Sequence, residues 1–352
     1  MATILAISVF SAMADQGPRM PAEFSKHGRS WIAFRADPAI WGEELATEVL
    51  YNLATIANTI VEYEPVTALV HPEDRDIAAY LLNPRIEILE REIDDLWIRD
   101  TGPVFVGGGA GGAAAIDFNF NGWGGKQVAT RDRLVAGAVG DHAAAKLRKS
   151  GFTLEGGGIE VDGQGTAILT ESSILNANRN PGVSKKEMEK ELKELLGLKK
   201  IIWLKGIAGK DITDAHVDFY ARFIAPGVVV AALEPDQDSF DRAVTLENIA
   251  ILRGERDANG DRLVVHVIEN PATIREDFAG EEFAAGYVNF YVLNGAVLIP
   301  EFGDRRRDDA AMETYQRLFP DRIILQLNID ALASGGGGIH CATLQQPVAA
   351  VQ

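Results

Sequence analysis

The stretch YVNFYVL-NG-AVLIPEF (residues 287–302) is the clearest fold signal in this chain. It is followed by AAMETYQRLF (310–319) and RIILQLN (322–328). The two outer parts of the first stretch are rich in β-branched and aromatic residues, and Asn294-Gly295 between them is a strong signal for a hairpin turn. The second segment has helical spacing, and the third is typical of another strand. Together they predict a strand–strand–helix–strand unit.

The same order of elements recurs in the chain before residue 287. The earlier units are RSWIAFR with VTALV and RIEILE, PVFVGG with AAIDFNF and GFTLE, TAILT with SSILN and KKIIWLK, and HVDFYARFI with VVVAALE and RLVVHVI. Each has a predicted helix before its last strand, and the first unit fits least well. Because such a unit must pack its apolar sheet face against neighbours, and because closure removes exposed edges, we predict an α/β fold. Its form is a five-bladed, pseudo-symmetric α/β propeller of repeated ββαβ units, with an open α/β sheet as the alternative.

The composition describes a globular protein with a large core and an acidic surface. The 352 residues are 47% hydrophobic, the net charge is −17, and the single cysteine excludes an internal disulfide. Nucleic acid is an unsuitable partner for such a chain, whereas small cations are attracted to it, and the charge also serves solubility. No apolar run approaches the roughly 20 residues that span a bilayer, so no membrane partner is expected.

The N-terminal residues leave two possibilities for the protein's location. Residues 4–10 are apolar and precede Ala12-Met13-Ala14, a pattern found at signal cleavage sites. No Lys or Arg precedes this short run, so secretion is the lesser alternative. We expect residues 1–19 to form an N-terminal extension and residues 20–352 to form a single catalytic α/β-propeller domain.

Polar motifs follow the last strand of four predicted units. They are EIDDLWIRDTGP (92–103), LEGGGIEVDG (154–163), DITDAHVD (211–218) and SGGGGIHC (334–341). In a ring of units, equivalent strand ends lie around one axis. We therefore expect Asp100, Glu155, His216, Asp218 and Cys341 to converge there, although they are far apart in the sequence.

These residue types suit attack by a thiol on a planar cation. A thiolate is a strong nucleophile, and a histidine can pass protons to a leaving group and from water. A carboxylate beside the histidine holds its orientation and raises its pKa. Asp100 and Asp218 have no role in this proton transfer, and two buried acids need a cation as a partner. A guanidinium suits them, because its five N–H donors form a planar fork that matches two carboxylates. No zinc-binding or nucleotide-binding spacing occurs, so neither a metal nor a cofactor is predicted.

Structural alternatives stand beside each of these roles. They are an ion pair with a neighbouring arginine for Asp100, an ordinary loop acid for Glu155, and a shared polar strand face for His216 and Asp218. A lone cysteine is more often a small buried hydrophobe. The four glycines directly before Cys341 favour the other interpretation, a tight turn that presents the sulfur to a ligand.

The motifs together resemble those of bacterial and plant agmatine deiminases, within the peptidylarginine-deiminase-like group of guanidine-modifying enzymes. The resemblance runs from Met20 to Pro347. It rests on WIRDTGP (97–103), DFNFNGWGGK (117–126), LEGG (154–157), ILNANRNP (174–181), TDAHVD (213–218), GYVNFYVLNG (286–295), PEFGD (300–304) and GGGGIHCATLQQP (335–347).

The resemblance implies a pentein fold and hydrolysis of agmatine to N-carbamoylputrescine and ammonia, with no metal or organic cofactor. It implies a cytoplasmic homo-oligomer in putrescine and polyamine biosynthesis. By motif match, Cys341 is the nucleophile, His216 the general acid/base and Glu155 its support, while Asp100 and Asp218 hold the guanidinium. We expect a covalent thiouronium on the cysteine. Two tryptophans, Trp97 and Trp123, either wall the aliphatic chain of the substrate or serve core packing.

Several positions depart from the family pattern and leave the substrate open. Ala215 replaces a usual Gly, Phe34-Arg35 replaces a usual Trp-Pro, and Glu160 stands where a histidine is common. A methyl group at Ala215 would reshape the pocket, and Arg35 at an entrance would favour an anion such as a substrate carboxylate. The alternatives are a deiminase of free or peptidyl arginine or of another guanidine, an amidinotransferase, and a non-catalytic binding module on the same fold.

Overall fold

The computed structural model describes residues 17–107 and 113–348, and this part of the chain contains the following strands and helices. The strands are β1 (His27–Phe34), β2 (Val66–Val70), β3 (Glu87–Glu90), β4 (Val104–Val106), β5 (Ala114–Asp117), β6 (Lys146–Lys149), β7 (Glu160–Val161), β8 (Thr166–Thr170), β9 (Lys200–Leu204), β10 (Ala221–Ala225), β11 (Val228–Leu233), β12 (Val264–Glu269), β13 (Tyr291–Val292), β14 (Ala296–Glu301), β15 (Ile323–Asn328) and β16 (Leu344–Pro347). The helices are α1 (Pro38–Trp41), α2 (Glu43–Ile60), α3 (Arg75–Leu81), α4 (Ile98–Thr101), α5 (Gly122–Gly125), α6 (Val135–His142), α7 (Glu171–Ile174), α8 (Lys185–Leu196), α9 (Asp241–Gly254), α10 (Arg305–Leu318) and α11 (Asp330–Ala333). Short 3₁₀ turns cover Pro72–Asp74, Asp132–Leu134, Gly156–Gly158, Val217–Phe219 and Glu276–Phe278.

The strands form five sheets that repeat one connection. Their orders are β16-β1-β2-β3, β4-β5-β6, β7-β8-β9, β10-β11-β12 and β13-β14-β15. In the last four sheets the first two strands pair antiparallel and the third pairs parallel with the second. A parallel neighbour requires a crossover, which α6, α8, α9 and α10 supply. The predicted α/β fold of five ββαβ units is confirmed.

The first unit combines the two ends of the chain. β16 pairs antiparallel with β1, with Leu344 opposite Trp31, and β2 then pairs parallel with β1 after α2. The series β16, β1, α2 and β2 thus reproduces the repeat, and β3 is an additional strand. This unit fitted the sequence pattern least well because its first strand comes from the far end of the chain. The pairing also places the segment after Cys341 beside β1.

Two of the predicted strands are wrong. The third strand of the second unit is β6, whose sequence KLRK is exposed throughout, and not residues 151–155. Lys and Arg side chains on an edge strand prevent that strand from pairing with another chain. Because the strand then has no alternating apolar residues, a search for hydrophobic patterns does not predict it. Residues 172–176 are not a strand either, because Glu171–Ile174 is helical and the hairpin partner of β8 is the two-residue β7.

Helix α8 illustrates how local signals fix the crossovers. The Ser184 hydroxyl accepts from the backbone of Glu187, and the Glu187 carboxylate accepts from the backbone of Ser184, which forms a capping box. Gly197 ends the helix with φ of 67°, a left-handed conformation that suits glycine. The helix buries Met188 and Leu192 on one apolar face.

None of the helices described here is long and apolar enough to cross a bilayer. Of the expected N-terminal extension, residues 1–16 lie outside the described residues. Arg19 pairs with Gly107, and the Met20 N–H donates to the Leu196 carbonyl, so the chain joins the folded body at these residues.

Candidate active site

The structure brings the five predicted chemical residues together from four places in the chain. Asp100 lies in α4, Glu155 precedes the turn Gly156–Gly158, His216 and Asp218 lie at the turn Val217–Phe219 before β10, and Cys341 follows α11. All five are at least nine-tenths buried. The expectation that His216 and Asp218 alternate along a strand is wrong, since a 3₁₀ turn carries them. The convergence is the arrangement that a buried reaction site requires.

Gly157 lies in the middle of this group. Its N–H donates to Asp100 Oδ1 at 2.9 Å. A Cβ at this residue would stand 2.7 Å from His216 Nδ1, 2.8 Å from Asp100 Oδ1 and 3.1 Å from Asp218 Oδ2. The missing side chain therefore leaves a small space between an imidazole and two carboxylates, and sequence reasoning did not single this glycine out.

Asp100 is oriented by a tryptophan. Trp123 Nε1 donates to Asp100 Oδ2 at 2.9 Å. Burial raises the pKa of Asp100, with His216 opposing the rise and Asp218 and Glu155 adding to it. Trp123 reaches this position with a left-handed backbone, at φ of 53°. Its indole thus contacts the site through a hydrogen bond, a contact that neither expected role of Trp123 included.

His216 is held as a cation. Its Nε2 lies 3.3 Å from Glu155 Oε2 and its Nδ1 lies 3.7 Å from Asp100 Oδ1. Burial alone would lower the pKa of His216, but Asp100, Glu155 and Asp218 outweigh it and raise the pKa to about 9. An imidazolium at neutral pH is ready to give a proton to a leaving group.

Glu155 is shared between His216 and an arginine that sequence reasoning missed. Arg179 Nε contacts both Glu155 oxygens at 2.7 and 2.9 Å, and its Nη1 donates to Asp214 Oδ2 at 2.7 Å. Burial would raise the pKa of Glu155, but His216 and Arg179 outweigh it and lower the pKa. A buried acid needs a cation, and Arg179 lies within the ILNANRNP motif (174–181), so the sequence contained two signals for this residue.

Asp218 has one oxygen engaged and one without a protein partner. Oδ2 accepts from His340 Nδ1 at 2.7 Å. Burial would raise the pKa of Asp218, but His340, His216 and Arg222 outweigh it and lower the pKa. Oδ1 is buried and, within the described part of the chain, has no hydrogen-bond partner. Since a buried carboxylate oxygen without a donor is costly, this atom is available to a cationic ligand.

The thiol lies directly beside these carboxylates. Cys341 Sγ is 3.5 Å from Asp218 Oδ2 and accepts from Asn289 Nδ2 at 3.3 Å. Burial raises the pKa of the Cys341 thiol far above its usual value, and Asp218 and Asp100 add to the rise. Burial, which is the largest of these effects, and the two acids therefore favour the thiol over the thiolate. Asn289 is a further residue that sequence reasoning missed.

The glycines before Cys341 also make room for two indoles. A Cβ at Gly337 would overlap Trp97, and a Cβ at Gly335 would overlap Trp41. The two rings lie 5.8 Å apart, and Trp97 is largely buried. Close packing of the cysteine loop on these rings is thus one reason for the glycine run. The contact of Trp97 with a substrate chain stays a prediction.

The departures from the family pattern have structural explanations. Arg35 is buried, and its terminal nitrogens lie within 2.9–3.2 Å of Asp37, Glu73 and Asp74, so the expected role of Arg35 as an anion receptor is wrong. Glu160 accepts from Arg222 Nε at 2.6 Å and is a partner in the core. These two substitutions therefore act on folding contacts and not on the reacting groups.

His216 also forms part of the wall of a cavity of about 250 Å³. Its charged lining residues are Asp211, Glu234, Asp241, Glu281, Glu282 and Lys210, and its aromatic ones include Phe219, Phe240 and Phe283. Acids outnumber bases, so the cavity favours a positively charged ligand with an apolar middle. Among residues 17–107 and 113–348, no group of three or more His, Cys, Asp or Glu is arranged to hold a metal ion.

Comparison with known proteins identifies the family. The Porphyromonas-type peptidyl-arginine deiminases match residues 19–347. The chain belongs to this family. The resemblance predicted from the motifs is therefore confirmed, and the five ββαβ units of this deiminase-family chain form the pentein fold.

Three relatives of this deiminase-family chain are similar over almost their whole length. The agmatine deiminase of Stutzerimonas stutzeri is 36% identical over 360 residues, which covers 96% of this chain and 97% of that protein. A protein of Streptomyces coelicolor, provisionally named an agmatine deiminase, is 42% identical and covers 94% and 98%. The structure of the Enterococcus faecalis agmatine deiminase, described as catalysing its reaction, superposes with a TM-score of 0.89 at 32% identity and covers 94% and 96%.

Proposed function

We propose that this protein hydrolyses agmatine to N-carbamoylputrescine and ammonia through a covalent thiouronium on Cys341, in putrescine and polyamine biosynthesis. One observation carries the proposal. His216, Asp100 and Asp218 place polar atoms within 3.1 Å of a single point that Gly157 leaves free. The chain's only thiol lies beside the same carboxylates. A flat cation placed there would sit between two acids, an imidazolium and a nucleophile.

The two acids give the proposed binding mode. The guanidinium N–H groups would donate to Asp218 Oδ1, which has no other partner in the described residues, and to Asp100. The positive charge offsets the carboxylates that raise the pKa of the Cys341 thiol. Substrate binding itself therefore promotes release of the thiol proton to solvent, and the thiolate forms only when its target is in place.

The reaction then follows in two steps. The thiolate bonds to the central guanidinium carbon, and the His216 imidazolium gives its proton to the departing nitrogen as the C–N bond breaks and ammonia leaves. The neutral imidazole next takes one proton from water, and the water oxygen bonds to the same carbon. The C–S bond then breaks as the second water proton leaves to solvent, where ammonia takes it up as ammonium, and the carbon–oxygen bond becomes the C=O of the product. The ureido product departs, and the thiolate and the imidazolium are restored.

The acidic cavity supports agmatine over free arginine. The far end of agmatine is an ammonium, whereas free arginine also carries a carboxylate that would meet several acids with one lysine to offset them. Peptidyl arginine has no such charge, so peptidyl arginine and other small guanidines remain the alternatives to be tested. A non-catalytic binding module would not need the thiol.

The test is a substrate panel with two protein variants. Agmatine, arginine, a peptidyl arginine and shorter guanidines are incubated with the wild-type protein and with Cys341→Ser, and ammonia and ureido product are measured. We expect the highest kcat/KM for agmatine and no turnover by Cys341→Ser, with an unchanged circular dichroism spectrum. Turnover by Cys341→Ser would refute the nucleophile assignment, and preference for arginine would refute the substrate.

We also propose that residues 20–352 form one catalytic domain acting in the cytoplasm as a homo-oligomer, on a small cationic guanidine and without nucleic acid or membrane partners. The pairing of β16 with β1 and the apolar cluster shared by the first and last units support the single domain. The net charge of −17 argues against a nucleic-acid partner. Light scattering of the purified protein tests the oligomer, and one unfolding transition is expected for the domain.

A further inference from the structure

His340, the residue before the thiol, is buried between two carboxylates. Its Nδ1 lies 2.7 Å from Asp218 Oδ2, and its Nε2 lies 2.9 Å from Glu23 Oε2. The imidazole is 2% exposed, so water does not supply either partner. Each ring nitrogen therefore lies within hydrogen-bond distance of a carboxylate oxygen, and the imidazole bridges Asp218 and Glu23.

The outer carboxylate of this arrangement is itself fixed. Glu23 contacts Arg99 Nη2 at 3.1 Å and Arg222 Nη2 at 2.9 Å, and it accepts from the Val292 N–H at 2.9 Å. Burial would raise the pKa of Glu23, but Arg222, His340 and Arg99 outweigh it and lower the pKa. Glu23 is therefore an ionised anchor, and His340 cannot shift away from Asp218 without breaking these contacts.

His340 does not face the space beside Gly157, where a guanidinium would bind. That space is bounded by His216 Nδ1, Asp100 Oδ1 and Asp218 Oδ2. His340 contacts the same Oδ2, and Oδ1 is the oxygen without a protein donor in the described residues. Its effect on a ligand must therefore pass through Asp218.

We propose that His340 is a positioning residue: anchored on Glu23, it engages Asp218 Oδ2, fixes the orientation of the Asp218 carboxylate beside the Gly157 space and leaves Oδ1 for the guanidinium of the substrate. This rests on the proposed function and adds to it a second histidine with a different task. His216 moves protons, whereas His340 orients the carboxylate that receives the cation.

The first test is the hydrogen bonding of His340 without any substrate. The protein with ¹⁵N-labelled histidine is compared with His340→Gln by NMR, and the signal lost in the variant identifies His340. We expect a ring N–H signal of His340 that is shifted downfield and protected from exchange with solvent, because the ring lies between two buried carboxylates. A ring N–H that exchanges as freely as that of an exposed histidine would overturn the proposal.

The second test measures binding separately from chemistry. Agmatine is titrated calorimetrically into Cys341→Ser and into the double variants that add His340→Gln or His27→Gln. His27 is the matched control, because its ring is also buried and lies 2.9 Å from Glu64 and 2.6 Å from the Glu23 carbonyl. We expect Kd to rise on the order of tenfold or more with His340→Gln, and more steeply at acidic pH where Asp218 protonates more readily. His27→Gln should lower Tm and leave Kd unchanged.

The outcomes separate this proposal from the proposed function. An unchanged Kd with His340→Gln, or an equal rise with His27→Gln, would show a merely structural role and overturn the assignment. In the otherwise wild-type chain, His340→Gln should raise KM for agmatine more than it lowers kcat. If the wild-type protein binds agmatine but releases no ammonia from any guanidine, the proposed hydrolysis fails while the two tests above still decide the role of His340.

Discussion

A side chain at position 157 would occupy the space where the site's polar atoms meet. The backbone N–H of Gly157 already satisfies one Asp100 oxygen, and the space above its Cα faces His216 and Asp218. A methyl group at this position would stand within hydrogen-bond distance of three polar atoms without offering a donor. The residue therefore determines whether a flat cation fits.

Gly157→Ala should abolish turnover of agmatine while the protein stays folded, because the methyl group would displace the guanidinium. Gly158→Ala is the matched control, since its Cβ would meet the end of the Ile174 side chain at 3.1 Å and lies 3.7 Å from His216 Cδ2. We expect the control to keep most of its activity. Measurable kcat for Gly157→Ala at the wild-type KM would contradict the binding mode.

Ala215 is the residue-scale departure that carries backbone strain. Its φ is 72°, a left-handed conformation that costs an L-residue about 1–2 kcal/mol. Ala215→Gly should raise the free energy of unfolding by about 0.5–1 kcal/mol, after the loss of unfolded-state restriction is included. Urea denaturation measures the change. Ala221→Gly in β10 is the control and should destabilise the protein, and a lower stability for Ala215→Gly would disprove the strain.

At the scale of elements, two segments together hold Glu155, the carboxylate that contacts His216. They are the turn Gly156–Gly158 and the connection from α7 to α8. The turn carries Glu155 and Gly157 into the site, and the connection supplies Arg179. Both segments lack regular strand or helix structure over most of their length, yet Glu155 and Arg179 are buried and paired. Their precision comes from charge pairing and not from backbone regularity.

Glu155→Gln should shift the pH dependence of kcat. Loss of the carboxylate lowers the His216 pKa from about 9 toward its ordinary value, with Asp100 and Asp218 still raising it. The reaction needs the imidazolium, which exists below this pKa and is lost as pH rises through it, so the alkaline limb should move to lower pH. Glu171→Gln, which removes an acid paired with Lys185 and Lys205, should leave the limb in place. An unmoved limb in Glu155→Gln would exclude His216 as the acid.

At the scale of the whole molecule, negative charge acts on the site both from the protein as a whole and from the adjacent cavity. The chain has a net charge of −17, and the cavity beside His216 adds a local excess of acids. Fields of this kind raise the encounter rate of an oppositely charged ligand and weaken as salt screens them. The molecule should therefore attract a dication before any specific contact forms.

Raising the ionic strength from about 0.01 M to about 0.15 M should lower kcat/KM for agmatine severalfold and leave kcat unchanged, because the screening length falls from about 30 Å to about 8 Å. Kinetics at matched pH measure this. Glu282→Gln at the cavity should reduce the salt dependence more than Glu313→Gln, an exposed acid on α10 that does not line the cavity. Equal effects of the two variants would assign the steering to net charge alone.

By itself, the amino-acid sequence determined the repeating unit, the family, and which chemical groups to bring together. Asn294-Gly295, the capping box at Ser184 and the alternating strands act over a few residues, so a linear reading recovers them. The tertiary structure alone decided the rest: β16 completes the first unit, Arg179 holds Glu155, and Gly157 leaves the space. It also decided that His340 spans Asp218 and Glu23. These features depend on side chains that meet only after distant segments of the chain fold together. A buried charge pairs with whichever opposite charge lies within about 4 Å, and the separation of two residues in the sequence does not give that distance.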